Sequence, residues 1–437
     1  MKSKSCIYLQ QAIYLAPNEI RACCQRFFVN GKIKGDVPLI KLTNKRNVSF
    51  EELINAKKNL LESINNGTDV LCSGCPHLSL EDWGLVENEA INVISIEDHS
   101  LCNMKCTYCS EIYYGGVSPQ YDLKILLENL PKIDTNLHIA WGGGEPTIRK
   151  DFEDLFTYLT KNFKPRTQRI FTNALKYSKS LQEALDNKLA TITTSIDAGT
   201  ENTFKKIRGS SRLDIVLNNL HNYSRNNSEL ITIKYIFTED NYDYNEIQAF
   251  VNNLINYDLL NCNFLISTDF KSQVLSNNKV LGIIILYYLL TDKGVLAVNF
   301  DDHIYSRLRS IGSFIYNIDF NFKQHEDINY LVYKFSHLLN YHLNKNIVIW
   351  GTGEFAKYLI TTSIKIKQKE IIIHGFVDTN LQKIGTLFMG MTIQSPDTLI
   401  ESDSSILIAS SNYYGEIVKK ALHMGISPKR IAPNFII

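Results

Sequence analysis

Three cysteines lie within one short segment, Cys102-Asn-Met-Lys-Cys106-Thr-Tyr-Cys109. Iron–sulfur clusters are held by cysteine thiolates, so three thiols this close can bind one such centre. Because a cubane [4Fe-4S] cluster has four irons, three cysteines leave one iron without a protein ligand. An open coordination position is typical of a reactive metal site, as it is for catalytic zinc. The alternatives are a zinc site that lacks one ligand, or three ordinary buried cysteines.

Several polar groups follow strand-like segments further along the chain. The first is Trp141-Gly142-Gly143-Gly144-Glu145-Pro146, in which the glycines allow close approach of the backbone to a ligand. The Glu145 carboxylate can accept hydrogen bonds from an ammonium group. The other candidates for ligand contacts are Asn173, Ser195, Asp197 and Arg208. Taken alone, Asn173 could equally be a strand-end cap and Arg208 a solvated charge.

The spacing C-x3-C-x-aromatic-C resembles the signature of the radical S-adenosylmethionine (SAM) superfamily, and the resemblance covers roughly residues 88 to 268. It implies that Cys102, Cys106 and Cys109 hold a [4Fe-4S] cluster whose open iron binds SAM. It also implies reductive cleavage of SAM to a 5′-deoxyadenosyl radical that abstracts hydrogen from a substrate. In that family Tyr108 would lie next to the adenine. By the same resemblance, Gly143, Gly144, Glu145, Asn173, Ser195, Asp197 and Arg208 would contact SAM.

Five more cysteines precede the triplet, namely Cys6, Cys23, Cys24, Cys72 and Cys75. Their pattern resembles the SPASM-type auxiliary module, which implies a second [4Fe-4S] cluster on Cys6, either Cys23 or Cys24, Cys72 and Cys75. Two features depart from that module, since it normally follows the barrel and only half of its cysteines are present. A structural zinc site on the same four thiolates, or free buried cysteines, are the alternatives.

A glycine-bearing loop opens the last part of the chain. Gly351-x-Gly353 follows a strand-like run and begins a helix, and Asp378 ends the next strand-like run. A helix N-terminus of this kind can accept a phosphate, and an acidic residue at that position suits a ribose hydroxyl. The segment resembles Rossmann-like domains of nucleotide-sugar-modifying enzymes. The alternative is an empty domain used for packing or dimerisation.

Between residues 90 and 266, apolar runs alternate with helical stretches, which indicates βαβ units and a parallel sheet. The predicted strands are Ile91–Ile96, Leu137–Trp141, Gln168–Thr172, Ala190–Ile196, Leu230–Phe237 and Asn263–Ile266. We therefore predict an α/β fold: a partial (β/α)6 TIM-like barrel with an N-terminal cysteine-rich module and a C-terminal Rossmann-like α/β domain. The predicted boundaries are 1–85 for the SPASM-like module, 86–270 for the radical SAM core, 271–343 for a helical connector and 344–437 for the Rossmann-like domain.

The net charge of +1 across 437 residues signals no nucleic-acid-binding face, and no run of residues has the length and apolarity of a signal peptide or a membrane span. These features favour a cytoplasmic protein, where clustered cysteines indicate metal binding rather than disulfides.

The hypothesis is a radical SAM enzyme acting on a sugar or nucleotide sugar, with reduced flavodoxin or ferredoxin as electron donor. The alternatives are a radical SAM peptide-modifying maturase and a non-catalytic iron–sulfur scaffold or sensor.

Overall fold

The computed structural model describes residues 2–109, 115–130, 133–271, 273–301, 304, 307, 326–363, 373–410 and 413–433. The chain divides into two compact units. The first comprises Met1–Ser195 and Phe204–Thr232, and the second comprises Ile196–Thr203 and Ile233–Ile437.

The first unit alternates short strands with amphipathic helices. Its strands are β1 (Ser3–Ser5), β2 (Ala12–Ala16), β3 (Glu19–Arg21), β4 (Arg26–Val29), β5 (Lys32–Gly35), β6 (Pro38–Lys41), β7 (Ser79–Glu81), β8 (Ile91–Ile96), β9 (Ile133–Trp141), β10 (Thr167–Phe171) and β11 (Ala190–Ser195). Its helices are α1 (Ile7–Gln11), α2 (Phe50–Asn65), α3 (Leu123–Glu128), α4 (Phe152–Phe163), α5 (Lys179–Asp186), α6 (Glu201–Arg208), which begins in residues of the second unit, and α7 (Leu213–Ser224).

The main sheet of this unit has the strand order β11-β10-β9-β8-β2-β3-β6. Strands β11 to β2 are parallel, whereas β3 and β6 are antiparallel to their neighbours. Parallel neighbours need crossover connections, and here α4 and α5 supply two of them. As a result, the carboxyl ends of β8 to β11 share one edge of the sheet.

The two faces of this sheet differ in composition. On one face, the Trp141 ring packs against Phe152 and Phe156 of α4, with ring centroids 5.4 and 5.9 Å apart. We call the opposite face the inner face; it carries Ser95, Ala140, Arg169, Thr191 and their neighbours two residues along each strand. Side chains alternate between the faces of a strand, so the helix-covered face is apolar and the inner face is polar.

The second unit contains two groups of strands. Strands β12 (Ile231–Phe237), which begins in residues of the first unit, β13 (Asn263–Thr268) and β14 (Val298–Phe300) are neighbours in chain order, and β13 and β14 are parallel. A six-stranded sheet has the order β17-β18-β16-β15-β19-β20 and is parallel except at β17. Its strands are β15 (Ile347–Trp350), β16 (Ile373–Val377), β17 (Leu387–Phe388), β18 (Met391–Gln394), β19 (Ser405–Ile408) and β20 (Ile431–Ala432). The helices are α8 (Tyr244–Asn256), α9 (Asn277–Asp292), α10 (Glu326–Leu343), α11 (Glu354–Ser363) and α12 (Tyr414–His423).

The predicted α/β fold with a largely parallel sheet is confirmed, and β8 has the predicted bounds. The six-strand count was incomplete, because β2 extends the sheet beside β8 and β14 adds a strand beside β13. The strand β14 also interrupts the connector that we predicted to be helical, much of which lies outside the described residues. The domain boundaries and the Rossmann-like character of the last domain stay predictions.

Among the described residues, no helix is both long enough and apolar enough to cross a bilayer.

Candidate active site

The loop that carries the cysteine triplet follows β8 and is held by the glycine loop after β9. The Gly144 amide donates to the His99 carbonyl at 2.9 Å, and the Glu145 amide donates to the Leu101 carbonyl at 2.7 Å. A methyl group on Gly144 would lie 2.0 Å from the Leu101 oxygen, and one on Gly143 would lie 2.6 Å from the His99 oxygen. Gly143 also has a φ of +85°, which favours glycine. These glycines therefore allow close contact with the cysteine loop itself.

The last turn of α6 holds the same loop from another side. The Lys105 amide donates to the Arg208 carbonyl at 3.1 Å, and the Thr107 amide donates to the Ile207 carbonyl at 2.8 Å. Carbonyls at a helix C-terminus have no partner within the helix, so these bonds satisfy both elements. The cysteine triplet therefore lies on a loop that is anchored on one side by the glycine loop and on the other by α6.

The three thiols of the triplet lie near one another and are partly buried. The Cys109 amide donates to the Cys106 carbonyl at 3.0 Å, and the Met104 amide donates to the Cys102 sulfur at 3.4 Å. Burial raises the pKa of the Cys102 thiol and raises the pKa of Cys109 to about 12, with a further rise from the neighbouring thiols. The nearby Arg208 guanidinium opposes both shifts. Crowded thiols of this kind become thiolates when a metal centre binds them, so the donor set fits an iron–sulfur cluster.

Asn173 lies at the end of β10, where the sequence predicted a contact with bound SAM. The residue is 7% exposed, and its Nδ2 donates to Asn103 Oδ1 at 2.6 Å and approaches the Cys102 sulfur at 3.9 Å. Its Oδ1 accepts a hydrogen bond from the Leu175 amide. The amide group is therefore directed at the cysteine loop.

Glu145 is buried among hydrogen-bond donors of the protein. Its Oε1 accepts from the Thr147 amide, the Thr147 hydroxyl and the Thr172 hydroxyl, and its Oε2 accepts from the Asn173 amide at 2.6 Å. The residue is 1% exposed. Burial raises the pKa of the Glu145 carboxyl, and these bonds oppose the rise. The carboxylate thus joins the ends of β9 and β10, and its contact with an ammonium group stays a prediction.

The remaining predicted contacts divide between the two units. In the first, Arg208 is 5% exposed, its guanidinium contacts the Tyr108 hydroxyl, and Ser195 ends β11 half-buried. In the second, Asp197 is fully buried with a φ of +63°, and its Oδ1 accepts from the Ile236 amide at 2.7 Å. Asp197 therefore has a clear structural role in the second unit, and its contact with SAM stays a prediction.

A cavity of about 560 Å³ lies in the first unit beside the cysteine loop. It is lined by Asn103, Ile148, Leu175, Lys176, Ser210 and Arg212. This volume falls in the range of small-molecule sites, and its two cations suit an anionic group. Asn103 joins the cavity to the triplet, although the sequence analysis did not single it out.

Four of the five N-terminal cysteines lie near one another. Cys6 and Cys72 are buried in a small apolar cluster against which Cys23 packs, and the Cys75 amide donates to the Cys72 carbonyl at 2.9 Å. Burial raises the pKa of Cys23 to about 11 and those of Cys72 and Cys75 to about 12, and the thiols in this group raise one another's values further. We call Cys6, Cys23, Cys72 and Cys75 the four-thiol set.

Cys24 lies in different surroundings from Cys23. Burial raises the pKa of the Cys24 thiol well above its usual value, and the next contribution comes from Glu97, which follows β8. Tyr14 of β2 is also buried nearby: burial raises its pKa, and Cys24 and Cys23 raise it further. Because Cys23 packs against the apolar cluster that contains Cys6 and Cys72, we include Cys23 in the four-thiol set.

All nine cysteines are free thiols. Among the described residues, no three His, Cys, Asp or Glu side chains converge closely enough to bind a single metal ion. A four-iron cluster differs from such a site because it takes one thiolate at each iron.

The glycine loop of the second unit is held by Asp378. The Asp378 carboxylate accepts from the Thr352 amide at 3.0 Å and from the Thr352 hydroxyl, and Lys383 Nζ lies 3.5 Å from it. Gly351 has a φ of +112°, and a methyl group there would lie 2.9 Å from the Ala409 oxygen. By contrast, a methyl group on Gly353 would meet nothing within 4 Å. The predicted phosphate contact at Gly351 and Gly353, and the predicted ribose contact of Asp378, stay predictions.

Comparison with known families gives two matches. The model of the radical SAM superfamily matches residues 96–251, which include the cysteine triplet and the glycine loop. The model described as C2185-like, N-terminal, matches residues 343–432. The chain therefore contains a radical SAM domain. Domains of this superfamily use a [4Fe-4S] cluster and SAM, and they need an electron donor.

The similar curated proteins are enzymes. GTP 3′,8-cyclase of Shewanella denitrificans is 34% identical over 129 residues, which are 28% of this chain and 37% of that enzyme. The 7,8-dihydro-6-hydroxymethylpterin dimethyltransferase of Methanocaldococcus jannaschii is 30% identical over 158 residues, which are 33% of this chain and 29% of that enzyme. The aligned region thus spans only about a third of either relative.

Among solved structures, Streptococcus suis SuiB bound to S-adenosylmethionine is similar at 16% identity and a TM-score of 0.37, over 62% of this chain and 58% of that one.

Proposed function

We propose that this chain is a radical SAM enzyme whose active site is the cysteine triplet. The observation that carries the proposal is the position of Cys102, Cys106 and Cys109 on one loop that is anchored at both sides, next to a cavity of about 560 Å³. When bound there, a reduced [4Fe-4S] cluster with SAM supplies a 5′-deoxyadenosyl radical that abstracts a hydrogen atom from the substrate. The three thiolates would hold three irons and leave the fourth for SAM.

The surrounding side chains have separate tasks in this proposal. Asn173 orients the cysteine loop through Asn103 and places an N–H near the Cys102 sulfur. Hydrogen bonds to sulfur tune the reduction potential of a cluster. Arg208 places a cation near Cys102 and Cys109, and a cation stabilises a thiolate.

The cavity beside the triplet is the proposed SAM site. Lys176 and Arg212 line it, and either cation can pair with the carboxylate of the methionine part. Lys176 Nζ donates to the Thr147 carbonyl at 2.7 Å, which fixes its position near the end of β9. We propose reduced flavodoxin or ferredoxin as electron donor and the cytoplasm as the location.

The four-thiol set is the proposed site of a second [4Fe-4S] cluster. Its support is that four thiols from three separate segments lie close enough to influence one another's pKa. We assign Cys23 to this set, and Cys24 to the other side of the segment, because Cys24 lies near Glu97. A zinc site on the same thiols is the competing possibility, and metal analysis separates the two.

For the substrate we propose a sugar or nucleotide sugar, with a peptide as the second candidate. The observation that favours the first is the open loop at Gly353 beside Asp378 and Lys383, where a bound phosphate could meet a helix N-terminus. The position of Gly353 suits a test, because a methyl group there would meet no protein atom within 4 Å. Gly353→Val should keep the fold and lose binding of UDP-, GDP-, CDP- or dTDP-sugars in calorimetry. Absence of binding to the unchanged protein would leave the peptide candidate ahead.

The main experiment measures SAM cleavage after anaerobic reconstitution. With dithionite or reduced flavodoxin, the protein should form 5′-deoxyadenosine slowly without substrate. Cys106→Ala should abolish this product, because a lost thiolate removes the cluster. Cys262→Ala, which changes a buried cysteine near β13, is the matched control and should retain it. Equal cleavage by the Cys106 variant and the unchanged protein would overturn the proposal.

A further inference from the structure

The inner face of the first unit carries a continuous row of paired residues below the cysteine loop. In the register of the sheet, Tyr14 pairs with Ser95, Ser95 with Ala140, Ala140 with Arg169, and Arg169 with Thr191. All five side chains therefore point to the same side, away from α4. The row crosses five strands without a large aliphatic residue.

A second row lies nearer the cysteine loop. Phe171 pairs with Thr193, and Gly142 and Glu97 follow the ends of β9 and β8. A methyl group on Gly142 would lie 3.5 Å from Glu97 Cγ, so the two residues are in contact. Ala140 in the first row has a short side chain and Gly142 has none. The inner face is therefore lowest along β9, between longer side chains on β8 and β10. We call this region the inner-face groove: Ser95, Glu97, Ala140, Gly142, Arg169 and Phe171.

Arg169 and Phe171 form a fixed wall on one side of the groove. Arg169 Nε donates to Thr193 Oγ1 at 3.0 Å, and its guanidinium carbon lies 4.9 Å from the centre of the Phe171 ring. Phe171 is 41% exposed, which is unusual for a large aromatic residue of a central strand. Two residues further along the same strand direction, Asn173 approaches the Cys102 sulfur. This wall is therefore next to the proposed radical source.

Glu97 forms the opposite wall. Ser95 Oγ donates to Glu97 Oε1 at 3.2 Å. The nearest cations already pair with other carboxylates, Arg21 with Glu19 at 2.5 Å and Arg26 with Asp36 at 2.6 Å. Among the described residues, Glu97 makes no ion pair of its own.

Burial raises the pKa of the Glu97 carboxyl. The nearby Arg21 and Arg26 lower this pKa, and Asp36 raises it. A cation bound beside Glu97 would relieve the cost of this buried charge.

We infer that the inner-face groove binds the substrate, and that the substrate carries an amine for Glu97 and an acidic group, a carboxylate or phosphate, for Arg169. Neighbouring strands lie about 4.8 Å apart, so backbones of β8 and β10 are separated by about 10 Å. An aliphatic or ring portion of the substrate then lies over Ala140 and Gly142 and against Phe171. This inference rests on the proposed function and narrows its substrate to molecules with both charges.

The test uses the reconstituted, SAM-bound protein and three simple probes: 6-aminohexanoate, hexanoate and hexylamine. Ligand-observed NMR titrations should give a Kd for 6-aminohexanoate at least about tenfold lower than for either single-charge probe, since each charged hydrogen bond contributes about that factor. Glu97→Gln should make 6-aminohexanoate bind no better than hexanoate. Arg169→Gln should make it bind no better than hexylamine.

Matched controls are Glu183→Gln on α5 and Arg166→Gln just before β10, both exposed and outside the groove. Both should keep the preference, and iron content verifies that every variant folds and loads its clusters. Equal Kd values for the three probes, or a preference that survives in Glu97→Gln, would overturn the inference. SAM cleavage without probe, measured on the same samples, tests the proposed function separately. A protein that cleaves SAM but does not prefer the two-charge probe refutes the groove alone.

Discussion

The four-thiol set and the cysteine triplet use the same ligand in contrasting surroundings. Cys6 and Cys72 lie in an apolar cluster against which Cys23 packs, and the Cys75 amide donates to the Cys72 carbonyl. The triplet offers three thiols on a polar loop between a cavity and the inner-face groove. A closed set with a full complement of ligands stabilises structure, whereas an open set leaves a position for chemistry. The difference between them therefore predicts separate outcomes when each is altered.

The largest effect should come from removing the open set. Cys102→Ala, Cys106→Ala and Cys109→Ala combined should eliminate 5′-deoxyadenosine formation and remove one cluster, while the other remains detectable by iron analysis and electron paramagnetic resonance. Retention of both clusters would contradict the claim that the triplet and the four-thiol set bind separate clusters. A single cluster with stoichiometric zinc in the unchanged protein would contradict it as well.

A second effect should distinguish the adjacent residues Cys23 and Cys24, of which only Cys23 belongs to the four-thiol set. Cys23→Ala should remove the second cluster and lower the Tm, because binding of a structural metal centre contributes folding free energy. Cys24→Ala should keep that cluster, since its thiol lies beside Glu97 instead. Iron content and thermal unfolding measure both outcomes. Loss of the cluster in the Cys24 variant alone would reverse our assignment.

A smaller effect is expected from a residue that supports the triplet without binding iron. Asn173→Ala removes the donor to Asn103 and to the Cys102 sulfur. Loss of such a supporting contact typically costs about 10–100-fold in activity. SAM cleavage should fall within that range while iron content is retained, and the potential of one cluster should shift. A variant with unchanged rate and potential would leave Asn173 with a local capping role only.

The smallest effect concerns stability and pH at the groove. Burial raises the folded-state pKa of Glu97, so the folded protein binds more protons than the unfolded chain between pH 4.5 and that raised value. Stability is therefore lost as the pH rises through this window, and the cost is complete above it. Glu97→Gln should raise the Tm at neutral pH and weaken its dependence on pH in this window. A lower Tm at neutral pH would contradict this expectation.

The features that could be predicted from the sequence are those that depend on a local pattern of residues. Apolar runs located β8 with its observed ends. The triplet and its glycine loop were visible because their chemistry depends on spacing. The three-residue strand β3 escaped notice, since a segment that short has no readable period.

Other features depend on distant partners and could not be predicted. The sequence pattern leaves Cys23 and Cys24 equivalent, because only the fold determines which thiol meets Cys72. Glu145 looked like a ligand residue, and its bonds to Thr147 and Thr172 required the ends of β9 and β10 to be adjacent. Arg169 and Phe171 looked like ordinary strand positions until the register aligned them with Ala140 and Gly142.

The parallel pairing of β2 with β8 has a consequence for how the protein is made. Ala12 pairs with Val93, so β2 must wait for 81 further residues before its partner leaves the ribosome. At about 5–20 residues per second, that interval is about 4–16 s. During it, Cys6 and Cys23 have emerged without the strand that orders their segment. Oxidant present during this interval would oxidise the thiols before iron binds them. The yield of active protein should therefore depend on redox conditions during translation.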